Sequence, residues 1–99
     1  MVKHVILWKF KDAEAEIKLS RVAEIKKQLE SLSGKISGMT DISVNYLCLE
    51  SSNADAMLEC TFENEEALHG YSVNPEHVMV AETYIRPYIE TRLCFDYEI

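Results

Sequence analysis

The sequence predicts an α+β fold, a four-stranded antiparallel sheet with helices on one face in the ferredoxin-like plait. Three observations carry this. Apolar residues alternate with period two over four stretches and recur at helical spacing over the stretches between them. The resulting order is strand, helix, strand, strand, helices, strand, which a split βαβ arrangement satisfies. The length, 99 residues, leaves room for one hydrophobic core, so residues 1–99 are expected to form a single domain.

Each element has a local reason. Residues 3–10 read as a strand with Val2, His4, Ile6, Trp8 and Phe10 on its even face. Its odd face carries Val5 and Leu7 between lysines, so both faces are apolar at mid-strand. Asp12 is suited to cap the next helix, in which Ile17, Val22, Ile25, Leu29 and Leu32 share one side. Glu14 with Lys18, and Lys26 with Glu30, are spaced to pair on its wet side. Gly34 closes this helix and Gly38 loosens the loop beyond. Residues 42–49 alternate again as a strand, 50–53 form a polar hairpin-type loop, and 56–62 make the third strand. Asn64 caps a short helix whose early Glu65 and Glu66 suit its dipole, and which weakens at Gly70. Asn74 and Pro75 then restart a helix that Pro87 ends. Residues 89–99 form the last strand, with Leu93, Phe95, Tyr97 and Ile99 on one face and Arg92, Cys94 and Asp96 on the other.

A plait covers one face of its sheet and leaves the other bare. The bare face is expected to carry Val5, Leu7, Leu47, Met57, Leu93, Phe95 and Tyr97. So large an apolar surface does not stay exposed on a soluble monomer. A second copy packed sheet to sheet covers it, and two-fold symmetry is the simplest solution, so a homodimer is predicted.

Composition narrows the function classes. A hydrophobic share of 47% with 27% charged residues is that of a globular protein. The net charge of −7, without any basic stripe, argues against a nucleic-acid partner. The run Val5-Ile6-Leu7-Trp8 is broken at once by lysines, and no membrane-length segment follows, so no leader and no membrane partner are expected. Cys48, Cys60 and Cys94 are odd in number, widely spaced, and each in a strand-like run, which reads as small buried hydrophobes in a cytoplasmic protein. No metal-ligand spacing, Gly-rich phosphate loop or Ser/His/Asp order is present, and neither metal nor cofactor is expected.

The chemistry-bearing stretch is Tyr71-Ser-Val-Asn74-Pro75-Glu-His77. The Asn74-Pro75 restart puts His77 at the third helical position, near the positive end, which favours a neutral ring able to take a proton. In a functional reading His77 is a general base and Tyr71 positions a carbonyl or an enolate oxygen. In the plainer reading His77 bonds a neighbouring backbone group and Tyr71 packs on the sheet. The even face of the first strand points toward the same helices. His4, Trp8, Leu58, Cys60, Arg92 and Cys94 are therefore expected to line one cleft with them, apolar-walled and able to take a small ligand. Arg92 is its anion-binding element, unless Asp96 or Glu90 occupies it.

Several elements together resemble a known family: Val2-Lys-His4-Val-Ile-Leu, Phe62-Glu-Asn-Glu-Glu-Ala-Leu, Tyr71-x-x-Asn-Pro75-x-His77, Arg86-Pro87, and Arg92-Leu-Cys-Phe-Asp96-Tyr97. In this order and at these distances they are similar to the stress-responsive dimeric α/β barrel (Dabb) family over essentially the whole chain. The resemblance implies a ferredoxin-like protomer whose sheet pairs with a second copy into a dimeric barrel. Some plant members are induced by stress, and most bacterial members have no assigned activity. One enzymatic branch, plant polyketide cyclases, implies a histidine base matching His77, a tyrosine matching Tyr71 and a first-strand histidine matching His4. Ala56 stands about where that branch has a further histidine, and Val22 and Ala23 where its pocket has aromatics. The leading expectation is a homodimeric Dabb-type domain of unassigned activity with a small-ligand cleft. The alternatives are a cofactor-free lyase or cyclase using His77 and Tyr71, a small cofactor-free monooxygenase, and a purely structural dimer.

Overall fold

In the computed structural model, which describes residues 1–99, the chain runs β1 (Val2–Phe10), α1 (Ala15–Glu30), β2 (Met39–Asn45), β3 (Ala56–Phe62), α2 (Glu65–Val73), α3 (Pro75–Val80) and β4 (Ile89–Glu98). A π-helical turn over Ala81–Ile85 and a 3-10 turn over Arg86–Tyr88 join α3 to β4. The sheet order is β2-β3-β1-β4, and every pairing is antiparallel. This is the ferredoxin-like plait expected from the element order.

The period-two pattern of β1 explains its central place. Val2, His4, Ile6, Trp8 and Phe10 are all buried on the helix side, where they meet Leu58, Cys60 and Phe62 of β3. Val22, Ile25 and Leu29 of α1 close that core from above. Asp55 extends the ladder past the end of β3: its amide donates to the Trp8 carbonyl, and its carboxylate accepts from the Phe10 amide, both at 2.8 Å. Gly38, at φ +80°, lets the loop before β2 lie against α2; a Cβ there meets the Ala67 Cβ at 2.5 Å.

Several local expectations hold in detail. Asn64 accepts from the Ala67 amide at 2.8 Å, Asn74 accepts from the Glu76 amide at 2.9 Å, and Lys26 pairs with Glu30 at 2.7 Å. Others are corrected. Asp12 does not cap α1, which begins at Ala15 behind Glu14 with no side-chain cap; Lys18 approaches Asp12 at 4.0 Å, not Glu14. Ile17 is exposed and does not join Val22, Ile25 and Leu29 on the buried side of α1. α2 continues through Gly70 to Val73. β2 spans Met39–Asn45, not residues 42–49, because its last partner is Met57 and nothing pairs with the chain beyond.

The helices cover β1, β2 and β3 but leave β4 uncovered. Every residue from 90 to 99 is exposed, on both faces of the strand. The cysteines are corrected accordingly. Cys60 is buried, Cys48 lies past the end of β2, and Cys94 lies on the open edge strand; all three are free thiols. On the far side of the sheet, Leu7 pairs with Leu93 and Met57, and Val5 pairs with Phe95. Leu47 is off the strand, yet it borders the same face in a recess of about 240 Å³ shared with Leu7 and Met57. No helix is long and apolar enough to cross a membrane.

Candidate functional site

A cavity of about 310 Å³ lies between the helix-side face of the sheet and α3. His77, Ala81 and Ile85 follow one another at four-residue spacing, so α3 and the π-helical turn present them to the same space. Ile6, Trp8, Leu29 and Leu58 form the apolar wall, and His4, Arg86 and Arg92 supply the polar groups. A small apolar space with a few convergent polar groups has the make-up of a ligand site.

His77 is half-buried at the cavity wall, and its Nδ1 is shut off from solvent with no hydrogen-bond partner. Nε2 is therefore the ring nitrogen left available to the cavity. Burial holds the pKa of His77 below the ordinary imidazole value, and the neighbouring His4, Arg86 and Arg92 push the same way. The Ser72 backbone pulls in the opposite direction without completing a hydrogen bond to Nδ1. The neutral ring expected from the sequence is thus obtained, chiefly by desolvation.

Tyr71 stacks on His77 with ring centroids 4.0 Å apart and planes 33° apart, and packs against Phe62 at 5.3 Å. Its hydroxyl is sealed in the core and makes no hydrogen bond to nitrogen or oxygen. Burial, followed by the neighbouring Cys60 thiol, drives its pKa up. Tyr71 therefore supports the His77 ring from behind and does not face the cavity. Cys60 lies beneath it, its thiol pushed up to about 12 by burial, and lines no open space.

The remaining candidates divide between two spaces. Trp8, Leu58 and Arg92 line the cavity with His77. Cys94 opens instead into a neighbouring hollow of about 530 Å³ between β4 and α2, which shares His4, Ser72 and Arg92 with the first. His4 is only 7% exposed, and its Nδ1 lies 2.5 Å from Asp96 Oδ1. Arg92 makes no ion pair with Asp96 or Glu90; Asp96 is held by His4, and the guanidinium is left free at the cavity edge. Arg86, by contrast, reaches Glu82 at 3.3 Å. Sequence reasoning did not place Arg86, Ile85 or Leu29 at the site. The four-residue spacing from His77 through Ala81 to Ile85 was the available signal.

The stress responsive A/B Barrel Domain family, Dabb, matches residues 2–99. The chain belongs to the Dabb family. Among solved structures, this Dabb chain is similar to a dimeric ferredoxin-like protein of unknown function from Bacteroides fragilis. The identity is 31%, over 99% of this chain and 95% of that one, with a TM-score of 0.92. A protein from Arabidopsis thaliana is 29% identical, over 100% and 95% of the two chains, with a TM-score of 0.79. A dimeric ferredoxin-like protein of unknown function from Thermobifida fusca is 18% identical over 99% and 90%, with a TM-score of 0.84, and shares the fold. No curated protein matches the Dabb chain by sequence.

Proposed function

We propose that this Dabb domain is a cytoplasmic homodimer that binds a small, partly apolar carboxylate in the cavity between sheet and helices. Arg92 carries the reading. It is a guanidinium without an acidic partner, set at the edge of a space otherwise walled by Ile6, Trp8, Leu29 and Leu58. An apolar body in the cavity with its carboxylate on Arg92 satisfies both halves of that site. The volume of about 310 Å³ is at the lower end for ligand pockets and fits a compact molecule. The homodimer is supported by the open apolar face of the sheet and by the dimeric relatives from Bacteroides fragilis and Thermobifida fusca.

Trp8 is the chain's single tryptophan and lines the cavity, so its fluorescence reports occupancy. Titration with small aromatic carboxylates is expected to shift it saturably, while the matching amides bind much more weakly. Arg92→Gln is expected to weaken binding by roughly tenfold or more, the scale of a hydrogen bond to a charged group. Equal binding of acids and amides, or an unchanged affinity in Arg92→Gln, sinks the proposal.

The partnerless Nδ1 of a half-buried, neutral His77 favours a second reading, a cofactor-free enzyme using His77 as base. Here Nε2 takes a proton from a carbon acid, and Arg92, not the sealed Tyr71 hydroxyl, faces the developing enolate oxygen. Deuterium from solvent is expected to enter a bound carbon acid with wild-type protein and not with His77→Gln. Equal exchange in both rejects this reading and leaves ligand binding standing.

A further inference from the structure

His4, Cys94 and Asp96 bring three different donor atoms to one place at the edge of the sheet. Cys94 and Asp96 are two residues apart on β4 and so project to the same side. The strand register sets Asp96 opposite His4, and Cys94 opposite Ile6, diagonally next to it. Asp96 Oδ1 lies 2.5 Å from His4 Nδ1; Cys94 Sγ lies 3.4 Å from that oxygen and 3.9 Å from that nitrogen.

Two chemistries use such a trio, and the geometry separates them. A nucleophilic thiol needs the carboxylate on one imidazole nitrogen and the sulfur on the other, so that one orients the ring and the other surrenders its proton. Here carboxylate and thiol both meet Nδ1. Donors that converge on a point are instead what a metal ion requires. Zinc bonds of about 2.3 Å to sulfur, about 2.0–2.1 Å to nitrogen and about 2.0–2.2 Å to oxygen, at tetrahedral angles, separate the donors by roughly 3.4–3.6 Å. The two sulfur separations bracket that range. The nitrogen–oxygen pair is closer because a proton bridges it, and a shift of the Asp96 carboxylate by roughly an ångström opens the space that zinc needs. Asp96 stands on an exposed edge strand, where such a shift meets no packing.

We propose that His4, Cys94 and Asp96 form a binding site for a zinc-class divalent ion, through Nδ1, Sγ and Oδ1. Imidazole, thiolate and carboxylate together are a borderline-soft set that suits zinc. The thiolate and the carboxylate balance the two charges of the ion. The Cys94 thiol proton leaves to solvent, and the proton between Nδ1 and Oδ1 is displaced through water to Nε2, so that a neutral imidazole binds through Nδ1. The fourth position faces the hollow of about 530 Å³, where Glu65, His69 and Glu98 also lie, and water or one of them completes the coordination.

The test is zinc titration of the reduced, full-length protein against a chromophoric chelator, with cobalt as a spectroscopic substitute. One ion per chain is expected, with a thiolate-to-cobalt charge-transfer band. Cys94→Ala and Asp96→Asn should each weaken zinc binding by at least about tenfold, a loss that follows removal of even an outer partner of a metal ligand. Cys94→Ala should abolish the band, and Cys48→Ala should leave both intact. Cys94 is exposed, so its truncation opens no cavity, and Cys94→Ser serves as a second variant. Absence of saturable binding, binding unchanged in Cys94→Ala, or a band that depends on Cys48 overturns the site. Cys94 does not line the His77 cavity, so the carboxylate titration stands or falls separately.

Discussion

The two faces of β1 carry similar residues and meet opposite fates. On the helix side, Ile6 and Trp8 are 2% and 3% exposed. On the other side, Leu7 is 36% exposed, and its neighbours on β4, Leu93 and Phe95, are 61% and 67% exposed. Hydrophobicity does not distinguish them. The difference is that α1, α2 and α3 all dock on one side, so the chain closes that face itself. The helix-side face therefore reports what folds the protomer, and the open face what the protomer joins. β4 belongs to neither group: it is paired with β1 yet uncovered on both sides, and Cys94 and Asp96 of the second hollow stand there.

Substitutions matched across the sheet should break this symmetry of composition. Ile25 is wholly buried on α1 and does not line the ligand cavity. Ile25→Ala is expected to cost about 2–5 kcal/mol of stability through lost burial and a residual cavity. Leu93→Ala, equally large to small, should leave the protomer's own packing untouched. Denaturant melts of both substitutions, each combined with Phe95→Glu to remove the contact between copies, decide it; equal losses would show that the open face contributes to the protomer fold. The next effect concerns assembly. Phe95→Glu puts a charge in the centre of the proposed dimer contact and is expected to weaken association by about 2 kcal/mol or more, the scale of a central interface residue. Sedimentation at micromolar concentration should show monomers with native circular dichroism. A variant that remains dimeric places the interface elsewhere.

Much of this fold was legible because the sequence repeats one message at several levels. The period of β1, the caps Asn64 and Asn74, and the order of elements all point to a single plait. The misreadings are of two kinds. Residues 46–49 alternate like a strand but find no partner, since pairing is a property of two segments and β3 begins only at Ala56. Cys94 was expected in the cleft of His77 but opens into the neighbouring hollow, because alternation identifies a face but not how far a helix reaches across it. The site was legible in part for the same reason. His77, His4, Trp8, Leu58 and Arg92 do share one space, whereas Tyr71 and Cys60 lie beneath it. The encounter of His4 with Cys94 and Asp96 spans 90 and 92 residues, and only the β1–β4 register reveals it.

The smallest expected effect is the pH dependence of stability attached to His77. Its folded pKa is held below the ordinary value of 6.5, first by burial and then by His4 on β1, Arg86 before β4 and Arg92 on β4. Between the depressed folded value and 6.5, the unfolded chain binds the proton more readily than the folded one. The contribution of this group is therefore fully present above about pH 6.5, falls as the pH drops through that window, and levels off below the folded pKa. His77→Gln removes the titrating ring while keeping a polar side chain of related size. Urea midpoints for wild type and variant, measured from about pH 7.5 downward in roughly half-unit steps, should converge as the pH falls, because only the wild type loses this term. Parallel curves would mean that the ring accepts a proton as easily in the fold as outside it. A neutral His77 poised beside the cavity could then no longer be maintained, and the base reading would lose its physical ground.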